Sequence, residues 1–195
     1  MTLAESVKEY HRILMEMREE FPDFDILPKA GSRMMKTLDV LLRIITFGMM
    51  RTFMTDFTTT LGDSMYVTAS WDDLHPLLKC ITLRHERVHM RQKKRYFRTI
   101  PWLSFTIYGF KYCMWILPAG LAMARKLYEQ EAYEETMRAR AEYFGVYELR
   151  DVRLRKYIVD HFLSANYFWT WPYRSAVEAW YDDTVREIRF DMKAN

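Results

Sequence analysis

The chain has 195 residues, half of them hydrophobic by count and 28% charged, with a formal net charge of +3 at pH 7. That length suits one domain with a real core, and six Gly and six Pro are too few for long disordered stretches. The small, dispersed positive charge, with no Gly-rich phosphate loop and no nucleic-acid-binding signature, gives no basis for a nucleic-acid partner. Two cysteines, Cys80 and Cys113, are too few for a disulfide framework or a zinc knuckle and are expected as buried thiols. The first twenty residues carry five Glu and no apolar core, so they do not read as a secretory signal, and a reducing cytoplasm is the default expectation.

Taken in chain order, Leu3, Val7, Tyr10, Leu14, Met17 and Phe21 recur at three- and four-residue steps and predict an amphipathic first helix closed by Pro22. The stretch from Pro22 to Pro28 reads as a loop. Residues 33–50 predict a more apolar helix with Leu38, Leu41, Leu42, Ile45 and Met49 as its buried stripe. Thr55–Thr60 and Ser64–Thr68 are rich in β-branched and aromatic residues around a Leu61-Gly62-Asp63 turn, the pattern of a β-hairpin. Ser70 then caps a helix over about 72–97, with Pro76 near its start. Residues 100–124 are strongly apolar, and a helix over about 121–144 ends at Gly145. Helices over about 150–164 and 172–190 complete the chain. The expected fold is α+β and predominantly helical, a single domain over 1–195 with its core at 55–145, N-terminal helices in 1–50 and C-terminal helices in 150–190.

Within the 72–97 helix stands His85-Glu86-Arg87-Val88-His89, an HExxH pattern. Residues four apart on a helix share a face, so His85 and His89 can offer both imidazoles to one metal ion. Glu86 is rotated by roughly 100° from His85 and suits a general base holding a water better than a ligand. A zinc site needs a third protein ligand, with the fourth position left for water if the site is catalytic. Six residues past the second histidine stands Arg95, which excludes the arrangement with a third histidine at that spacing. A carboxylate from the 121–144 helix is the natural candidate. Glu129 shares a face with Arg125, Ala132, Tyr133, Thr136, Ala139 and Tyr143, while Glu131 shares one with Glu134, Glu135, Arg138 and Glu142, which looks solvated. Glu129 is therefore favoured over Glu131, and Ala132 would allow close approach of the two helices.

His-Glu-x-x-His followed by Glu-x-x-Ala (Glu129 to Ala132) resembles the gluzincin type of zinc metallopeptidase, over about residues 55–135. The resemblance implies a zincin-like fold, metal ligands His85, His89 and Glu129, zinc as cofactor and Glu86 as the water-activating base. It also implies that the hairpin ahead of the motif helix supplies an edge strand for an extended substrate. Two features depart from the pattern: Arg84 and Arg87 bring charge into the motif, and Tyr133 stands where an Asp often follows Glu-x-x-Ala. The expected substrate is a peptide or protein, a peptidoglycan peptide included.

Further candidates are open. Gln92 lies on the metal-facing side, either as a hydrogen-bond partner for a ligand or the cleft backbone or as an ordinary polar residue. His161, Tyr167, Tyr173 and Arg174 are candidates to stabilise a developing oxyanion, with His161 favoured as structural. The apolar 101–124 segment, flanked by basic residues, suggests a buried helix, with interfacial membrane contact as the alternative. Two other functional readings stand beside the peptidase: a non-catalytic helical docking or structural protein with a structural metal, and a membrane-associated hydrolase.

Overall fold

The computed structural model describes residues 1–97, 123–164 and 173–194. The chain divides into two compact units, Met1–Arg87 and Val88–Asn195. The structure is mostly helical, with one small three-stranded sheet.

The first unit opens with α1 (Leu3–Glu20), started by a capping box: the Thr2 hydroxyl accepts the Glu5 amide while the Glu5 carboxylate accepts the Thr2 amide at 2.6 Å. Its buried face runs through Ser6, Ile13 and Met17; of the stripe expected from sequence, Met17 and Phe21 are buried, Tyr10 and Leu14 half-buried, and Leu3 and Val7 exposed. Three- and four-residue steps fit both sets of positions here, so periodicity alone did not choose between them.

The Pro22–Pro28 stretch, expected as a loop, contains strand β1 (Asp25–Pro28). It pairs in parallel with β3 (Ser64–Val67), and β3 pairs antiparallel with β2 (Thr59–Leu61), giving the order β1-β3-β2. A partner almost forty residues away leaves no local trace in the sequence, which is why β1 escaped it. The Lys29 amide extends the ladder by donating to the Val67 carbonyl at 2.9 Å. Central β3 buries Met65, Tyr66 and Val67 in succession, so the alternation of a half-buried strand is absent. Gly62 takes a φ of 67° in the hairpin turn, where a side chain would strain the backbone.

Between β1 and β2 lie α2 (Arg33–Ile45) and the single turn α3 (Phe53–Asp56). Ser32 caps α2 by accepting the Met35 amide at 3.2 Å. The helix stops five residues short of the expected 33–50 because Phe47 and Gly48 both turn to positive φ, 52° and 78°. Among its described side chains Met35 and Asp39 are buried; of the expected stripe Leu41 and Met49 are exposed, Leu38 and Leu42 are half-buried, and the Ile45 side chain lies outside those described. The first hairpin arm is also shorter than expected. Thr55 and Asp56 return their amides to the Thr52 carbonyl, closing a helical turn that buries Phe53, and the strand starts only at Thr59. After β3, a 3-10 turn at Ala69–Trp71 buries Trp71, and the motif helix α4 (Pro76–Phe97) begins four residues later than expected. His75, and not Ser70, serves its first turn: His75 Nδ1 accepts the Leu77 amide at 3.3 Å. Pro76 as the first helical residue lacks only an amide that would have had no helical partner.

In the second unit α5 (Met123–Phe144) is followed by a 3-10 turn (Val146–Arg150), α6 (Val152–Leu163) and α7 (Arg174–Ala194). Gly145, at φ 91°, ends α5, and Asp151 caps α6 by accepting the Arg153 amide. The core joins Met137 and Ala141 of α5, Leu149 of the turn, Ile158, Val159 and Phe162 of α6, and Val177, Tyr181 and Ile188 of α7. The Tyr181 hydroxyl is satisfied by donating to the Leu149 carbonyl at 2.9 Å, and burial pushes its pKa up to about 12. Arg138–Asp191 and Arg155–Asp182 pairs tie α5 and α6 to α7 at the surface.

The segment 101–124, Cys113 and Tyr167 fall wholly or almost wholly outside the described residues. Among the described residues no helix is long and apolar enough to cross a membrane.

Candidate metal centre

Helix α4 carries His85 and His89 one turn apart on a single uninterrupted helix, and α5 carries Glu129. One ligand atom from each of His85, His89 and Glu129 lies within 4.8 Å of the other two. His89 Nε2 stands 3.7 Å from Glu129 Oε2, too long for a hydrogen bond and short enough for both atoms to bind one ion at about 2.0–2.2 Å. Glu129 is 1% exposed. Two imidazoles with a carboxylate are a donor set that a divalent metal such as zinc accepts.

Burial separates the two candidate acids of α5. Glu129 faces inward with Ala132, Tyr133 and Arg125, all buried, whereas the Glu131 side chain is 40% exposed and pairs with Arg95 at 3.0 Å. Glu131 nevertheless reaches the centre by another route. Gln92, 1% exposed, donates its side-chain amide to Glu131 Oε2 at 2.9 Å and to the Tyr128 carbonyl at 3.0 Å, and its Oε1 lies 3.0 Å from His89 Nδ1.

Glu86 is itself buried, and the Thr60 hydroxyl of β2 donates to its Oε2 at 2.7 Å. That bond ties the carboxylate to the sheet. Arg87, the charge that disturbs the motif, points elsewhere: it pairs with Glu16 at 3.0 Å and Glu20 at 2.7 Å on α1. Lys29 is almost wholly buried, donating to the Phe53 carbonyl at 2.7 Å with its ammonium 3.8 Å from the Phe53 ring centroid. Burial pushes its pKa down to about 8, against the attraction of Glu86 and Asp39. Thr60 and Lys29 carry no motif, and nothing short of the fold identifies them; the hairpin pattern placed Thr60 on a strand but not against Glu86.

Of the oxyanion candidates, His161 packs against Tyr133 and Tyr157, with Nδ1 3.2 Å from the Tyr157 carbonyl. Burial lowers its pKa, opposed by that carbonyl and by the charge of Glu129. Arg174 is occupied by Asp160 at 2.9 Å and Glu178 at 3.6 Å, and Tyr173 is exposed.

No protein-family model, curated protein or solved structure matches the chain.

Proposed function

We propose that the chain is a zinc-dependent hydrolase that cleaves a peptide or amide bond, a gluzincin-like peptidase on a zincin-like fold. The observation that carries the reading is the convergence of His85, His89 and Glu129 within 4.8 Å, with the buried Glu86 next in sequence to a ligand and held by Thr60. A bound zinc ion would lower the pKa of a water and polarise the scissile carbonyl. Glu86 takes the proton from the attacking water and passes it to the departing nitrogen. The strand β2 lies at one edge of the sheet order and carries Thr60, so an extended chain pairing along it would run beside the base. That arrangement favours a linear peptide or peptidoglycan-stem substrate.

The test combines elemental analysis with turnover. Purified wild type is expected to hold about one zinc per chain, Glu129→Ala to lose it and Glu131→Ala to keep most of it. On a mixture of unstructured peptides, Glu86→Gln should hold zinc yet be inactive. A zinc-loaded wild type with no activity towards peptides would instead leave a structural metal in a helical docking protein. A zinc-free wild type would remove the reading altogether.

A further inference from the structure

We infer that Gln92 and Glu131 form a positioning device that selects the tautomer of His89, presenting the Nε2 lone pair to the metal position. The inference rests on the metal reading for its purpose but not for its geometry.

The Gln92 side chain has one NH2 group and one oxygen, which coordinates alone rarely distinguish. Here the neighbours distinguish them. The Tyr128 carbonyl, 3.0 Å away, and the Glu131 carboxylate, 2.9 Å away, can only accept. Both amide hydrogens are therefore directed at α5, and Oε1 must face His89. Its neighbour there, His89 Nδ1 at 3.0 Å, must then be the donor. A neutral imidazole has a single N–H, so Nε2 carries the lone pair. Nε2 is the atom 3.7 Å from Glu129 Oε2, on the side of the clustered ligand atoms. Arg95 pairs with Glu131 Oε1 at 3.0 Å, at the outer end of this series of contacts. Glu131 thus acts two bonds away from the metal position while Glu129 acts at it.

The spacing explains why two acids are needed two residues apart. Glu129 and Glu131 leave α5 about 200° apart, so one is directed inward and the other towards the rim, where an arginine can reach it. The same amide also clasps α4 to α5 at Tyr128, beside Glu129, so ligand orientation and ligand register are set by a single residue. Partners of this kind typically contribute 10- to 100-fold to metal affinity.

The experiment measures the tautomer directly. Long-range proton–nitrogen correlation spectra of the metal-free wild type, recorded where the imidazole is neutral, should show the His89 proton on Nδ1, opposite to the preference of free histidine in water. A proton on Nε2 in the wild type overturns the inference, and this needs neither metal nor a variant. Gln92→Leu should shift the proton to Nε2 and weaken zinc binding by about 10- to 100-fold, measured by competition with a chromophoric chelator. The paired exchange Gln92→Glu with Glu131→Gln, which keeps an acceptor for Nδ1 and loses the bond to the Tyr128 carbonyl, should keep the proton on Nδ1. Were Gln92 only a clasp between helices, the exchange would shift the proton to Nε2 as Gln92→Leu does. Failure of the wild type to bind zinc would count against the proposed function alone, because the tautomer is read without metal.

Discussion

Helix α5 has two ends with the same burial and opposite chemistry. Its first turns bury Arg125 and Glu129; its later turns bury Met137, Ala139 and Ala141. The apolar end stabilises the fold in the ordinary way, by removing hydrocarbon from water against α6 and α7. The other end takes charged side chains out of water, which is tolerated only where they are compensated. A single helix therefore buries hydrocarbon at one end and charge at the other.

That contrast breaks cleanly under mutation. The largest effect is expected from His85→Ala, His89→Ala or Glu129→Ala, each bringing zinc content to background by elemental analysis. Glu129→Leu should do the same, and urea unfolding of the metal-free variant shows whether the buried carboxylate contributes to stability. A marked loss of stability in metal-free Glu129→Leu would mean that the charged end also holds the fold. Glu86→Gln comes next: peptide hydrolysis should fall by about 10²- to 10⁴-fold with zinc retained. At the apolar end, Met137→Ala should lose about 2–5 kcal/mol in urea unfolding while the folded fraction binds zinc as wild type does.

The comparison extends to the buried ammonium of Lys29, where the sign can be worked out. Folding lowers its pKa from 10.5 to about 8, so between those values the unfolded chain binds more protons than the folded one. Stability should therefore rise with pH across that window, by up to about 3 kcal/mol relative to Lys29→Met. Unfolding curves for both proteins at pH 7.5 and near pH 10.5, on the order of the two limits, would show it. A gap that stays constant would mean that the ammonium is better compensated than its burial implies. Smallest of all, Thr60→Val should leave zinc content unchanged and slow hydrolysis by roughly tenfold, as one hydrogen bond to the base is lost.

Much of this was legible in the chain itself. The HExxH spacing placed two imidazoles on one helical face, and the neighbours of Glu129 and Glu131 separated the inward acid from the outward one, because a helix repeats every 3.6 residues and the period is written in the side chains. The helices of the second unit appear close to their expected limits for the same reason, with Gly145 and Asp151 marking ends that local backbone preference fixes. What only the tertiary structure decided involves partners distant in sequence. Strand β1 exists because β3 lies beside it, and α3 replaces the start of a strand because its turn buries Phe53 beneath Lys29. Gln92 became a tautomer-setting residue because Tyr128 and Glu131 arrive from another helix. Local periodicity records which face of an element is buried, whereas hydrogen bonds across dozens of residues depend on where the chain returns, and no short window of sequence contains that.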